Sequence, residues 1–190
     1  MQCNADLAEH IYCCQELELK AMPRQGRKRE ALWHGAIAGL TGAWAMSQCT
    51  RLWRRILHRG KHHKSFPPLP YSQQEWDSTA GIAKLTARAF GIRLSPQQTA
   101  TGAEVVHYGV GALAGVIYEV GIRSHPRRTG LSGIAYGCAI WIFAQELLIP
   151  ALGITPRLRE YSLAAQTNSL CEHISYGVIL DSVSRVLKLL

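Results

Sequence analysis

Residues 131–154, with the sequence LSGIAYGCAIWIFAQELLIPALGI, form the most apolar segment of the chain. Glu146 is the one Asp, Glu, Lys, Arg or His within it. A membrane-spanning helix needs about 20 predominantly apolar residues, and this segment supplies them. Pro150 lies near its end, where a break in the helix costs little. The segment therefore predicts a helix that crosses a membrane, and this restricts the folds open to the whole chain.

Three further apolar segments, residues 31–50, 105–122 and 169–190, have similar lengths. The last is the weakest of them, because several of its side chains are ionisable. Two of these, Arg185 and Lys188, lie near its end and are expected to reach the lipid head groups. The four segments together predict a polytopic membrane protein with four spans.

Residues 73–91 predict an amphipathic helix, since apolar side chains recur at helical spacing and charged ones fall off that stripe. This helix either lies flat at the membrane interface or docks on the other helices. The predicted fold class is therefore all-α: a four-helix membrane bundle with an additional interfacial helix. A polar, basic N-terminal segment, residues 1–30, precedes the membrane domain, residues 31–190. Within the N-terminal segment, Pro23 and Gly26 are expected to break any helix.

Glycines spaced four residues apart occur in three of the four predicted spans. In lipid, glycine lets helices approach closely, whereas in a soluble helix it costs about 1 kcal/mol relative to alanine. This favours the membrane bundle over the alternative, a soluble all-helical domain with long buried helices. The predicted helix-packing residues are Gly35, Gly39, Gly111, Gly115, Gly133 and Gly137.

The formal net charge is +8, from 21 Lys and Arg against 13 Asp and Glu. No nucleic-acid-binding motif accompanies this excess, so we expect anionic lipid head groups as partners, met by Arg51, Arg54 and Arg55, and no nucleic acid. The six cysteines show no C-x-x-C spacing, so the sequence predicts no metal site and no cofactor. No catalytic motif is present, and the chain is not expected to be an enzyme.

Alternation of the spans places ionisable residues in two layers. One layer holds His107, Glu146, Glu172 and His173; the opposite layer holds His34, Glu119 and Asp181. Charges inside hydrocarbon cost about 2.5–3.5 kcal/mol on insertion scales, so each is expected to find a partner. Three interpretations stay open: hydrogen bonds that fix helix packing, proton or ion handling, and haem or metal ligation by His107 and His173.

The sequence also hints at an internal repeat and an orientation. GAIAG (35–39) matches GIAYG (133–137), and EVVHYGVGAL (104–113) matches CEHISYGVIL (171–180). These matches fit either a duplication or chance convergence of small residues. Counts of Lys and Arg in the short flanks slightly favour both ends of the chain in the cytoplasm.

Several motifs resemble those of the YagU-like family of small bacterial inner-membrane proteins. They are LP (69–70), VHYGVGALAGVIYEV (106–120), GIAYGCAIWIFAQELLIPALGITP (133–156) and EHISYGV (172–178). The resemblance covers about residues 65–180. Its most specific positions are His107, Tyr108, Trp141, Pro150, Gly153, Pro156 and His173. The cysteine-rich N-terminus and the basic run at residues 51–64 depart from the family's usual ends.

The resemblance implies a multi-pass protein of the bacterial inner (plasma) membrane and carries no agreed activity. We expect a non-enzymatic structural or accessory membrane protein, or one with a proton-linked role, acting as a homo-oligomer or within a larger membrane complex. The alternative is a membrane-embedded redox (haem-binding) or small transport component that uses His107 and His173.

Overall fold

The computed structural model describes residues 24–59, 78–122, 131–155 and 163–189. All regular structure in these ranges is helical, which confirms the all-α prediction. The five helices are α1 (Arg24–Arg59), α2 (Ser78–Ala89), α3 (Pro96–Ile122), α4 (Leu131–Ala151) and α5 (Leu163–Leu187).

Helix α1 extends well beyond the predicted span at residues 31–50. It begins at Arg24 and passes through Gly26, so the predicted break at Gly26 is wrong. It also continues through the basic residues Arg51, Arg54 and Arg55, beyond the predicted end of the span at residue 50. Its 36 residues correspond to about 54 Å at 1.5 Å per residue, which exceeds the roughly 30 Å hydrocarbon core of a bilayer.

Helix α2 is the described part of the predicted amphipathic helix, whose residues 73–77 lie outside the described ranges. It docks on other helices: Gly81 lies against Ile154 beyond the end of α4, and Ala83 packs against Gly102 of α3. Gly91 ends it with a φ of 71°, a left-handed conformation that favours glycine.

Helices α3 and α5 both begin before the predicted spans. Ser95 caps α3, because its Oγ accepts from Gln98 N–H at 3.2 Å while Gln98 Oε1 accepts from Ser95 N–H at 2.8 Å. This reciprocal cap allows α3 to start at Pro96, nine residues before the predicted start at residue 105. Helix α5 starts at Leu163 rather than at residue 169.

Helix α4 contains a π-helical segment, Trp141–Leu148, between α-helical turns. The Ile149 N–H bonds to Ala144 O, five residues back. Pro150 follows in the short α-helical turn Ile149–Ala151, and because it has no N–H, it donates no hydrogen bond to the preceding turn. The helix ends at Ala151, and Gly153 turns the chain with a φ of 67°.

Two glycine-packed helix pairs form the frame of the molecule. A Cβ built on Gly115 of α3 would overlap Gly35 O and lie 2.8 Å from Gly39 N on α1. A Cβ built on Gly177 of α5 would overlap the carbonyl of Gly133 on α4 in the same way. The backbones therefore touch in both pairs, as close packing in a membrane requires.

The packing aligns α3 with α5 in a register that differs from the one in the sequence comparison. Gly177 occupies in the α4–α5 pair the place that Gly115 occupies in the α1–α3 pair. The predicted match of Tyr108-Gly109 with Tyr176-Gly177 is not reproduced, because Gly109 has open space around its Cβ position. When Gly115 is aligned with Gly177, the acidic residues four positions after each glycine, Glu119 and Asp181, are equivalent.

Large apolar side chains lie on the surface of the described helices, and some polar ones are fully buried. Trp33 and Trp44 on α1 and Phe143 on α4 are more than half exposed, whereas Glu119 and Ser184 are fully buried. A chain folded in water shows the opposite preference. Two of the described helices, α3 (Pro96–Gly121) and α4 (Leu131–Ala151), are long and apolar enough to cross a membrane.

Candidate functional site

The first polar cluster, here called the carboxylate layer, joins α3 to α5. Glu119 is fully buried, and Asp181 is 4% exposed. Tyr118 donates its hydroxyl to Asp181 Oδ1 at 2.5 Å, and Ser184 donates to Glu119 Oε2. Each predicted acid of this layer is thus bonded by a hydroxyl from the other helix.

Two cations complete the carboxylate layer. Arg185 Nη2 and Nε lie 2.7 and 3.0 Å from Asp181 Oδ2, one turn apart on α5. Lys188 Nζ lies 2.9 Å from Glu119 Oε1 on the other helix. The four charges balance, which is what buried charges require. Arg185 and Lys188 therefore bond to carboxylates, and their contact with lipid head groups stays a prediction.

His34 was predicted to share this layer. Gly35, the next residue, packs against Gly115 and Val116, so His34 lies near the same end of the bundle as Glu119. Its Nδ1, however, is 3.8 Å from Glu30 Oε1 on its own helix. Among the described contacts, none connects His34 to the two buried acids.

The second cluster, here called the hydroxyl layer, surrounds the turn of α1 that carries Ser47 and Thr50. His107 Nε2 on α3 lies 3.0 Å from Ala43 O and 3.2 Å from Ser47 Oγ. A carbonyl oxygen only accepts, so Nε2 carries the proton and donates. Thr50 donates to Glu172 Oε1 on α5 at 2.6 Å. One turn of α1 thereby connects α3 and α5.

The same carboxylate accepts a second bond. Asn168 Nδ2 donates to Glu172 Oε1 at 2.8 Å, from one turn earlier on α5. Glu172 is therefore held between its own helix and α1. His107 and Glu172, predicted to share a layer, both bond to the same part of α1. Within the described residues, no hydrogen bond joins the two side chains directly.

His173 and Glu146 were predicted for this layer as well. His173 Nδ1 donates to Ser169 O of its own helix at 2.8 Å, and Glu146 lies half-buried in the π-helical segment of α4. Among the described residues, no hydrogen bond links either side chain to Ser47, Thr50, His107 or Glu172. No three His, Cys, Asp or Glu side chains in the described ranges are grouped to hold a metal ion.

Two tyrosines hold the middle of the bundle. Tyr136 on α4 donates to Ala114 O at 2.6 Å, and Tyr176 on α5 donates to Gly111 O at 2.7 Å. Both acceptors are carbonyls of α3 one turn apart. The rings of Tyr118 and Tyr136 also pack with centroids 4.8 Å apart. α3 is thus bonded to α4 and α5 between the two polar layers.

The sequence analysis did not predict several of these residues. Ser47, Thr50, Tyr118, Ser184 and Asn168 are common types in apolar helices and carry no motif. A signal existed on α5: Asp181, Ser184, Arg185 and Lys188 recur at three- and four-residue spacing, which places them along one helix face. That spacing indicates an internal polar stripe.

Comparison with known proteins identifies a family. No curated protein and no solved structure matches the chain. A family model described as "Protein of unknown function (DUF1440)" matches residues 59–182. The matched region includes α2, α3, α4 and the acidic and histidine residues of both layers on α3 and α5, and the YagU-like resemblance is consistent with it. The chain therefore belongs to the DUF1440 family of proteins of unknown function.

Proposed function

We propose that the chain is a four-span integral protein of the bacterial inner membrane that acts as a non-enzymatic structural or accessory component. The observation that carries this proposal is the use of the buried carboxylates. Glu119, Asp181 and Glu172 each accept a hydrogen bond from a neighbouring helix, and these bonds hold the helices together. Carboxylates that accept interhelical bonds stabilise helix packing.

The large apolar side chains on the surface of α1 support four spans rather than two. α1 presents large apolar side chains outward although its average composition is polar. They are Leu32, Trp33, Ile37, Leu40, Trp44 and Leu52. Three polar side chains of α1 and α5, Ser47, Thr50 and Asp181, turn inward and make interhelical bonds. A mean hydropathy that counts those inward groups understates how apolar the lipid-facing surface is.

Interhelical attachment also favours α1 and α5 as spans. α1 touches α3 along Gly35–Gly115 and Gly39–Gly111, so the two helices run side by side over several turns. α5 touches α4 in the same manner. A helix packed along its length against a membrane-crossing helix crosses at the same depth.

The haem-binding alternative cannot use Nε2 of His107 as an axial ligand. His107 Nε2 donates to Ala43 O, so this nitrogen has no lone pair for a metal. A proton-linked role would rest on the carboxylate layer, where acids and cations meet between α3 and α5. We propose this proton-linked role as the second candidate function. The result that would distinguish it is proton movement across the membrane of vesicles containing the protein, lost in the Glu119→Gln variant.

Cysteine accessibility tests the span count and orientation. All six native cysteines are replaced by serine, and single cysteines are placed at the exposed helix ends. Four spans predict that positions 29, 121, 131 and 189 react from one compartment, which we propose is the cytoplasm. Positions 55, 97, 153 and 163 should react from the other.

Two outcomes would contradict the proposal. If only α3 and α4 cross, positions 29 and 55 on α1 will label from the same side. If the protein appears in the supernatant after ultracentrifugation without detergent, it does not reside in a membrane. The membrane-pellet measurement needs no substitution and therefore comes first.

A further inference from the structure

A cleft of about 650 Å³ lies outside both polar layers. Lys84, Arg88 and Arg93 line it together with Ile92 and Leu94. We call this the basic cleft. Its volume falls in the usual range for small-molecule sites, about 300–1,000 Å³. Three cations next to two aliphatic side chains suit a ligand with an anionic group and an adjoining apolar part.

The local fold builds this arrangement. Lys84 and Arg88 are one turn apart on α2. Gly91, at a φ of 71°, reverses the chain, and Ile92 N–H donates to Ala87 O at 2.9 Å while Gly91 N–H donates to Arg88 O at 2.9 Å. This is a Schellman motif. It brings the residues after the helix, including Arg93, back beside the cations of α2.

The position of α2 puts the cleft at one end of the bundle. α2 contacts Gly102 near the start of α3 and Ile154 beyond the end of α4. In the proposed four-span arrangement these two points lie at the same membrane face. Charged side chains placed there meet lipid head groups.

Apolar side chains project next to the same cations. Leu85, Phe90 and Ile92 are 47%, 77% and 54% exposed. Exposed apolar groups interleaved with lysine and arginine are typical of segments that insert into the head-group region. The apolar residues are explained by contact with acyl chains and glycerol, which a soluble anion does not supply.

From these observations we propose that the basic cleft binds the phosphate of an anionic phospholipid, with Ile92 and Leu94 against the apolar part of the lipid. The inference rests on the proposed membrane function. Arginine presents several N–H donors in a fork that matches phosphate oxygens, and lysine adds a point charge. A zwitterionic lipid offers the same phosphate but carries its own cation, which these three residues repel.

The test uses the full-length protein in detergent micelles doped with phosphatidylglycerol or phosphatidylcholine, with bound lipid counted by native mass spectrometry. The cleft variant is Lys84→Gln, Arg88→Gln, Arg93→Gln. The matched control, Arg24→Gln, Arg27→Gln, Arg29→Gln, removes the same charge from the start of α1. A second variant, Arg88→Lys with Arg93→Lys, keeps the charge.

We expect wild type and the control to prefer phosphatidylglycerol. The cleft variant should bind it about 100-fold more weakly, at about five-fold for each cation near an anionic surface. The charge-keeping variant should retain most of the affinity.

Equal loss in the cleft and control variants would mean general attraction to a basic protein and would overturn the proposal. So would displacement of phosphatidylglycerol by inorganic phosphate at equal concentration, which would indicate a site for free phosphate. Failure of the membrane proposal itself is seen separately, as recovery of the wild type without detergent.

Discussion

Lys188 Nζ lies 2.9 Å from Glu119 Oε1, and this ion pair connects the residue just past α5 to the last turns of α3. Glu119 is fully buried, whereas the Lys188 side chain is 18% exposed. Lysine thus reaches in from the margin of the bundle to neutralise an acid that has no access to solvent. Removing either partner leaves the other in a costly state, and the glutamate is the more costly one.

Lys188→Met should destabilise the protein by about 3–5 kcal/mol, the usual cost of leaving one partner of a buried pair uncompensated. Methionine keeps most of the side-chain volume, so packing changes little. The free energy of unfolding in mixed detergent measures the effect. The double variant Lys188→Met, Glu119→Gln should recover a large part of the loss, since the buried charge is gone.

Lys188→Arg is the control for the first prediction, because it keeps the cation. If Lys188→Met were as stable as wild type, the ion pair with Glu119 would not help to hold α5 to α3.

Gly115→Ala should separate α1 from α3. The new methyl would overlap Gly35 O, which is backbone and does not move aside. Overpacking of this kind costs about 1–3 kcal/mol. Gly109→Ala is the matched control: it is the same change on the same helix, and nothing lies within 4 Å of its Cβ position. Its stability should stay within about 1 kcal/mol of wild type. Equal effects at both positions would contradict the glycine-packed pair.

The glycine prediction shows what the sequence can reveal. Gly35, Gly39, Gly111, Gly115, Gly133 and Gly137 lie at helix contacts, because four-residue spacing places two small residues on one face whatever the rest of the fold. Gly177, which is equally close to its neighbour, stands outside such a pair in the sequence. Its role follows only from the partner helix.

In the two polar layers, the sequence predicted the position of the acids but not their bonding partners. The end of the helix pair at which each acid lies could be predicted, because consecutive helices alternate in direction, and Glu119 and Asp181 do lie together. Partner identity could not, because it depends on how each helix is rotated. That rotation brings Thr50 rather than a histidine to Glu172, and it turns His34 toward Glu30.

His107→Ala should lower the unfolding free energy by about 1–2 kcal/mol, since it removes the bond to Ala43 O between α3 and α1. His173→Ala is the matched control, because it deletes the same atoms from a side chain whose Nδ1 bond stays within α5. Thermal unfolding in detergent compares the two. A larger effect at His173 would show that volume, and not the interhelical bond, determines the loss.

Thr50→Val tests the link between α1 and α5 with almost no change in shape. Thr50 Oγ1 is 2.6 Å from Glu172 Oε1 and 3.2 Å from Met46 O, so the carboxylate is its closer acceptor. Hydrogen bonds to charged groups contribute about 1.5–3 kcal/mol, and we expect a loss in that range.

Thr41→Val on the same helix is the control for this last prediction, because Thr41 Oγ1 donates to Ile37 O within α1 and reaches no other helix. Its loss should be the smaller of the two. The dependence on Glu172 sharpens the test: in a Glu172→Ala background, Thr50→Val should cost little, because the acceptor has been removed. If Thr50→Val costs the same with and without Glu172, its effect arises within α1, and the hydroxyl layer does not join the two helices.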